Sequence, residues 1–258
     1  YSASEDAAAE SSRSATRRRG MKSCMATCLS IAYSILRHVQ ALMILIVMIF
    51  TALAIQDMYA ASDAGRIPGG FCGFDELKER NTDVVAWIRM DGTHIDYPVV
   101  RGRNNFEYLS KDIDGEYYQG GCIFLDYRNS ADLTDPYLII HGHHMAGGAM
   151  FSDVSAYIDE EFFKQNRSGE LITPDGTYSL AVAAAGIKDA YDGIVYYTGP
   201  DAEPPFGEMK KCELKRETEF GSGDKLVLLS TCAGDMSDNR AVVFCRARLM
   251  GNNYEIDQ

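Results

Sequence analysis

Residues with reactive side chains flank a short loop near the C-terminus. Cys232 ends a strand-like apolar run that begins at Lys225, and Arg240 opens the next strand-like run, which reaches Leu249. Residues 233–239 contain Gly, Ser, Asp and Asn, which predict a loop. If the two strands pair antiparallel, a thiol and a guanidinium lie at the same end of a sheet. A positively charged neighbour favours the thiolate, so this pair indicates cysteine-based chemistry.

A second group of chemically capable residues is the cluster His141, His143 and His144, which follows an apolar strand-like run. In a strand, His141 and His143 face the same side, as two zinc ligands could. However, no carboxylate or cysteine follows at ligand spacing. A histidine at a strand end, before the glycine-rich loop 146–149, is also suited to acid–base catalysis. The residues alone leave both interpretations open.

Other nucleophile candidates are weaker. Ser230 still lies within the strand pattern, and the chain has no GxSxG motif of a serine hydrolase. The five cysteines after residue 60 match neither a disulfide framework nor a CxxC zinc pattern. Cys245 lies inside its strand, where a small buried hydrophobic residue is expected. An odd number of cysteines leaves at least one thiol unpaired, which agrees with a reactive Cys232.

About eight short strand-like runs, separated by turns, must position these residues. The pattern predicts strands at 84–88, 94–100, 121–126, 136–141, 169–173, 177–187, 194–197, 225–232 and 240–249. It predicts short helices at 74–81, 104–109, 151–156, 159–166 and 203–212. Many short strands with few helices are typical of a closed β-barrel or a β-sandwich.

Together, the reactive residues resemble the signature of the sortases, the membrane-anchored cysteine transpeptidases of Gram-positive bacteria. The signature is a Thr/Leu-x-Thr-Cys strand end, an upstream histidine and an arginine on the following strand. It maps onto residues 229–232 (LSTC), His143 and Arg240. The resemblance implies that Cys232 is the nucleophile, that His143 transfers protons, and that Arg240 stabilises the oxyanion or holds the substrate backbone.

Further segments resemble the class B pattern within this family. They are residues 87–88, 92–93, 95–100, 105, 108–109, 121–126, 142–145 and 149–151. In that pattern the histidine directly after Gly142 is catalytic, which selects His143 over its neighbours. The resemblance also implies a sortase-like closed barrel of about eight strands. Ser230 and Thr231, beside the cysteine, are expected to bind substrate.

The resemblance implies a substrate class as well. Sortases cut a C-terminal sorting signal of LPxTG- or NPxTN-like sequence on a secreted protein and pass the acyl group, through a thioacyl-enzyme, to an amine of a cell-wall precursor or a pilin lysine. No cofactor and no metal are expected. Two alternatives stay open: a membrane-anchored zinc hydrolase that uses His141, His143 and His144, and a non-catalytic extracellular β-domain that binds a surface ligand.

The charge distribution argues against nucleic acid as the main partner. The chain has a net charge of −12, and its first 38 residues carry six basic and three acidic side chains. The remainder is therefore strongly acidic, whereas binding to a phosphate backbone requires a basic face.

The run 39–55 contains no charged residue and is long enough to span a bilayer as a helix. Basic residues precede it and Asp57 follows it, so the positive-inside rule predicts a cytoplasmic N-terminus and an external body. A cleaved signal peptide is the competing interpretation, but the run is long for its apolar region. We expect a partly disordered cytoplasmic segment at 1–38, a membrane anchor at 39–56, a linker at 57–70 and an extracellular catalytic domain at 71–258.

Overall fold

The computed structural model describes Met25, Leu29–Ile55, Ile67 and residues 69–145, 148–232 and 238–250, with the backbone alone at position 232. The chain divides into two compact units, Tyr1–Asp57 and Met58–Gln258. The first contains helix α1 (Leu29–Ile55), which is long and apolar enough to cross a membrane by its length and composition. The helix begins before the uncharged run because Arg37 is itself a good helix former and does not end a helix.

The second unit is built around a closed β-barrel. Its strands are β1 (Val84–Met90), β2 (Asp96–Val100), β3 (Ile123–Leu125), β4 (Tyr137–His141), β5 (Ser168–Thr173), β6 (Gly176–Asp189), β7 (Leu214–Lys215), β8 (Lys225–Cys232) and β9 (Asn239–Leu249). Eight of them form a ring in the order β1-β2-β3-β4-β8-β9-β6-β5, because β5 pairs with both β6 and β1. The short β7 pairs with β6 outside the ring. The prediction of a mainly β, closed eight-strand barrel is confirmed.

Strand alternation places one face of every ring strand in the interior of the barrel. Alternate residues of all eight ring strands belong to one large buried cluster; on β8 these are Val227 and Leu229. The intervening β8 residues, Leu226 and Leu228, belong to a second buried cluster on the other face. Both faces of β8 are therefore covered, which is why its sequence is a continuous apolar run rather than an alternating one. The strand that leads to Cys232 is held on both sides.

Short helices cover the barrel. They are α2 (Phe74–Arg80), α3 (Ser152–Ala156), α4 (Glu160–Gln165) and α5 (Phe206–Lys210). Asp159 caps α4, its side chain accepting a hydrogen bond from the backbone N–H of Phe162. Met209 of α5 and Val195 belong to the second buried cluster, so the segment between β6 and β7 covers the outer face of β8.

Two predicted elements are turns in the structure, and one strand was not predicted. The Asp192 side chain accepts hydrogen bonds from the backbone N–H groups of Ile194 and Val195, which bends the segment that had been predicted as a strand at 194–197. Asn104 accepts from the N–H of Phe106 in the same way, and residues 104–109 form turns instead of a helix. The two-residue β7 is too short to produce a periodic signal.

The tight turn at Gly121 offers a stability test. Gly121 has φ +58, and a Cβ there would lie closer than 3.0 Å to the backbone of Tyr108 and Leu109. Gly115 has φ +83, with nothing within 4 Å of the same position. Gly115→Ala should therefore cost about 1 kcal/mol for the left-handed backbone alone, and Gly121→Ala a further ~1–3 kcal/mol for the clash.

Urea unfolding of the detergent-solubilised protein would give both free energies of unfolding. Equal losses for Gly115→Ala and Gly121→Ala would contradict the crowding at Gly121.

Candidate active site

Three neighbouring strands bring the backbones of the predicted catalytic residues to one end of the barrel. β4 and β8 are parallel, with His141 opposite Ser230. β8 and β9 are antiparallel, with Cys232 opposite Arg240. His143 lies two residues beyond His141, just as Cys232 lies two residues beyond Ser230. The chain therefore delivers His143, Cys232 and Arg240 to the same end of the β4-β8-β9 sheet.

The outer face of these strands changes from apolar to polar towards this end. The residues on this face are Tyr137, Ile139 and His141 on β4, Leu226, Leu228 and Ser230 on β8, and Phe244, Val242 and Arg240 on β9. The apolar members belong to one buried cluster. Packing therefore fixes the three strands up to the point where the polar residues begin, so the site is built on rigid elements.

His143 is held by the backbone around it. The N–H of Gly142 donates to Ser230 O at 3.1 Å, and the N–H of Phe151 donates to His143 O at 2.9 Å. The imidazole Nε2 lies 2.9 Å from the carbonyl oxygen of Leu109. Since a carbonyl only accepts, this contact assigns the hydrogen to Nε2. Nδ1 is then the nitrogen that can take up and release a proton.

Arg240 brings a permanent positive charge to this end of the sheet. It is partly buried and lies directly across the antiparallel pair from Cys232. Its Nη1 donates to the Asn239 carbonyl at 3.3 Å. The guanidinium also borders the cleft described next, so it can interact with a bound substrate.

A cleft of about 430 Å³ opens at this end of the barrel. Its walls come from the segments after β2, β3, β4 and β6 and from the ends of β8 and β9. They are formed by Asn105, Phe106, Leu109, Phe124, Asp126, Arg128, His141, Gly142, His143, Ala190, Tyr191, Tyr196, Ser230, Thr231 and Arg240. Among the described side chains, two predicted catalytic residues, His143 and Arg240, thus share one cleft with both predicted substrate-binding residues.

Ser230 and Thr231 are both 2% exposed and differ in their hydrogen bonding. Ser230 Oγ lies 2.9 Å from the hydroxyl of Tyr196. Thr231 Oγ1 is buried without a hydrogen-bond partner in the part of the chain that the structure describes. Because a buried hydroxyl without a partner is costly, Thr231 is suited to accept or donate a bond to a bound molecule.

The three clustered histidines have three separate partners. His141 Nε2 lies 3.2 Å from Asp126 Oδ2, His143 Nε2 contacts Leu109 O, and His144 Nδ1 lies 3.1 Å from Ser155 Oγ. Within the described ranges, no group of three or more His, Cys, Asp or Glu side chains could hold a metal ion. The arrangement therefore gives the zinc alternative no support.

Three other cysteines are unsuited to nucleophilic chemistry. Burial raises the pKa of Cys122 and of Cys245 to about 12, and that of Cys212 to about 11. All three are buried and form no disulfide bond among the described residues. Cys72 is exposed, but it lies far along the chain from the strand end, just before α2. These environments argue against the three buried thiols as nucleophiles, and the selection of Cys232 stays a prediction.

Several residues of the cleft had no role predicted from the sequence. Asp126 and Arg128 follow β3, Tyr196 lies in a segment that had been predicted as a strand, and Leu109 contributes a backbone carbonyl. Asp126 is the last residue of the strand predicted at 121–126, so its place at a strand end was a usable signal. No local pattern could have identified the Leu109 carbonyl, which is 34 residues from its histidine partner.

Comparison with known proteins gives a consistent result. No family model matches the sequence. The chain is 29% identical over 181 residues to Sortase B of Staphylococcus aureus, covering 69% of this chain and 74% of that protein. The structure resembles a Streptococcus pyogenes class B sortase involved in pilus biogenesis, with TM-score 0.62, 34% identity and coverage of 69% and 98%. It also resembles a Staphylococcus aureus sortase B–substrate complex, with TM-score 0.62, 26% identity and coverage of 69% and 85%.

Gly142 should control the position of His143. A Cβ at Gly142 would lie closer than 3.0 Å to the side chains of Ile123 and Phe151. Gly142→Ala should displace Phe151, whose backbone N–H donates a hydrogen bond to the His143 carbonyl. We expect kcat/KM to fall on the order of 100-fold, which is the cost of a ~1 Å misplacement.

Gly193→Ala is the matched control, because nothing lies within 4 Å of its added methyl group. Kinetics and thermal unfolding of both variants would test this prediction. A Gly142→Ala enzyme as active as Gly193→Ala would show that the packing of this glycine does not position the histidine.

Proposed function

Because this chain belongs to the class B sortases, which are cysteine transpeptidases, we propose that it cuts a C-terminal sorting signal with Cys232 as the nucleophile, His143 as the proton carrier and Arg240 as the oxyanion-binding group. The proposed signal is LPxTG- or NPxTN-like. Membership of an enzyme family also removes the alternative of a non-catalytic ligand-binding domain.

One observation supports these roles above all others. The pairing of β8 with β9 sets Cys232 opposite Arg240, and the pairing of β4 with β8 carries His143 to the same end of the sheet. Side chains alternate along a strand, so position 232 falls on the same face as Ser230, which borders the cleft. The backbone therefore carries position 232 to the end of the sheet where His143 and Arg240 border the cleft.

In the proposed first step, the Cys232 thiolate attacks the carbonyl carbon of the scissile peptide bond. The carbonyl oxygen becomes an oxyanion, which the Arg240 guanidinium stabilises. The C–N bond then breaks, and His143 donates the proton on Nδ1 to the departing amine. The products of this step are a thioester on Cys232, a free amine and a neutral imidazole.

In the second step, an incoming amine attacks the thioester carbonyl and gives its proton to His143 Nδ1. The C–S bond breaks, a new amide forms, and the thiolate is restored. Free thiols and imidazoles have pKa values near 8.5 and 6.5, so the thiolate–imidazolium pair is the minor form in water at neutral pH. The guanidinium of Arg240 favours the thiolate, whereas the same positive charge disfavours the imidazolium of His143.

The proposed partners are secreted proteins with sorting signals and an amine acceptor, either a cell-wall precursor or a pilin lysine. Two similar structures, one involved in pilus biogenesis and one bound to substrate, support this class of partner. The apolar helix α1 is consistent with a membrane anchor. We propose that it anchors the enzyme with residues 1–38 in the cytoplasm, a linker at 57–70 and the catalytic domain at 71–258 outside the cell.

Removal of the thiol tests the nucleophile. Cys232→Ala should abolish cleavage of every sorting-signal peptide and the mass shift of the thioacyl adduct, since no sulfur remains to form the ester. Cys72→Ala, which removes an exposed thiol elsewhere, should leave both unchanged. Peptide cleavage by Cys232→Ala at the rate of Cys72→Ala would assign the chemistry to another residue.

Replacement of the guanidinium tests the role of Arg240. Arg240→Lys should lower kcat by ~100-fold or more, because a point charge cannot reproduce the planar fork that binds an oxyanion. Arg246→Lys is the matched control on the same strand, since Arg246 donates to Glu219 O and does not border the cleft. Similar rates for both lysine variants would reduce Arg240 to a bystander.

A further inference from the structure

A carboxylate is buried in one wall of the cleft. The side chain of Asp126, directly after β3, has no exposed surface. Burial alone would raise its pKa, but hydrogen bonds from Arg128 and His141 outweigh burial and hold the pKa of Asp126 well below its usual range. The fold therefore keeps a charged group in a place where a charge is costly unless it is well paired.

All three side chains that donate to Asp126 also border the cleft. Arg128 donates from Nε and Nη2 to the two carboxylate oxygens, each at 2.8 Å. Asn105 Nδ2 donates to Oδ2 at 2.7 Å, and His141 Nε2 does so at 3.2 Å. These donors come from three separate segments of the chain. A single carboxylate thus fixes one whole wall of the cleft.

The contacts continue from this wall to the strand that carries Cys232. The His141 ring stacks on the ring of Tyr196, with centroids 6.3 Å apart. The Tyr196 hydroxyl lies 2.9 Å from Ser230 Oγ. Ser230 lies two residues before Cys232 on the same strand. The Asp126 carboxylate is therefore connected by direct contacts to the end of β8.

A second buried carboxylate provides a comparison. Asp135 is 3% exposed and accepts hydrogen bonds from Asn129 Nδ2 at 2.8 Å and from Ser130 N at 2.7 Å and Ser130 Oγ at 2.9 Å. Neither Asp135 nor these partners border the cleft. Asp135 thus stabilises the loop between β3 and β4, whereas Asp126 stabilises one wall of the cleft.

We propose that Asp126 is a positioning residue of the transpeptidase, which acts through His141, Arg128 and Asn105 to hold the cleft wall facing the Cys232 strand end. The inference rests on the proposed function above. Asp126 does not touch the reacting atoms in this proposal. Its role is to keep three polar side chains in one arrangement before a peptide binds, so that binding does not have to order them.

Asp126→Asn is the main test. The amide keeps the shape of the side chain but cannot accept the two parallel bonds from Arg128, and its NH₂ group faces donors. With the full-length protein in detergent and a panel of LPxTG- and NPxTN-type peptides, kcat/KM should fall on the order of 10- to 100-fold, mostly through KM. Asp135→Asn should change kcat/KM less than two-fold once the rate is expressed per folded molecule, although both variants lose stability.

Alkylation of Cys232 by iodoacetamide, followed by peptide mass spectrometry, gives a readout that needs no peptide substrate. In Asp126→Asn the charge of Arg128 is no longer neutralised and adds to that of Arg240, so the thiolate fraction and the alkylation rate should rise. In Asp135→Asn the rate should stay at the wild-type value. Unfolding also lowers cleavage and exposes thiols, so both rates are compared with those of Asp135→Asn under conditions in which both variants are folded.

The outcomes separate the two proposals. If the wild-type enzyme cleaves no peptide of the panel, the proposed substrate is wrong, and the alkylation rates of the two variants still decide the role of Asp126. If Asp126→Asn and Asp135→Asn agree in both readouts, the positioning role is overturned.

Substitutions of His141 test the path through which Asp126 acts. His141→Gln retains an N–H that can reach Asp126 and should keep more activity than His141→Phe, which retains only the stacking on Tyr196. The double variant Asp126→Asn/His141→Phe should lose little more than Asp126→Asn alone, because both changes break one connection. Fully multiplicative losses would show that His141 acts independently of Asp126 and would overturn this path.

Discussion

The parallel pairing of β4 with β8 is the constraint on which the active site depends. It places His141 beside Ser230. The chain therefore reaches His143 and Cys232, each two residues further on, at the same end of the sheet. A slip of one residue would turn every side chain of β8 to its other face. Such a slip would place Ser230 in the barrel core and Leu229 in the cleft. Both changes are unfavourable, because both faces of β8 are packed. The hydrophobic packing of the barrel therefore also fixes the geometry of the chemistry.

The sequence predicted the elements whose patterns are local. The apolar run before Cys232, the antiparallel strand that begins near Arg240 and the closed barrel are all present in the structure. The segment 194–197 was predicted wrongly because its β-branched and aromatic residues favour a strand, whereas the Asp192 side chain satisfies the backbone as a turn. The hydrogen bonds accepted by one polar side chain thus outweigh the strand propensity of four residues.

The cleft could be predicted only in part, because its walls depend on contacts between distant segments. The reactive types Cys232, His143 and Arg240 stand out by their chemistry and by their places at strand ends. The carboxylate of Asp126 meets Asn105 and His141 across 21 and 15 residues, respectively. Such partners follow from the closure of the barrel and leave no mark on local sequence. Resemblance to a known family supplied expected roles for Cys232, His143 and Arg240, but none for the residues that contact Asp126.

The hydrogen bond between His143 Nε2 and the Leu109 carbonyl has a kinetic consequence. It leaves one ring nitrogen to exchange protons, so in the proposed mechanism the departing amine and the attacking amine use the same point in space, one after the other. Two amines cannot occupy that point together. In the proposed mechanism the enzyme therefore releases its first product before the acceptor enters, which is a ping-pong mechanism. The order of events would thus be set by a backbone oxygen at the edge of the cleft.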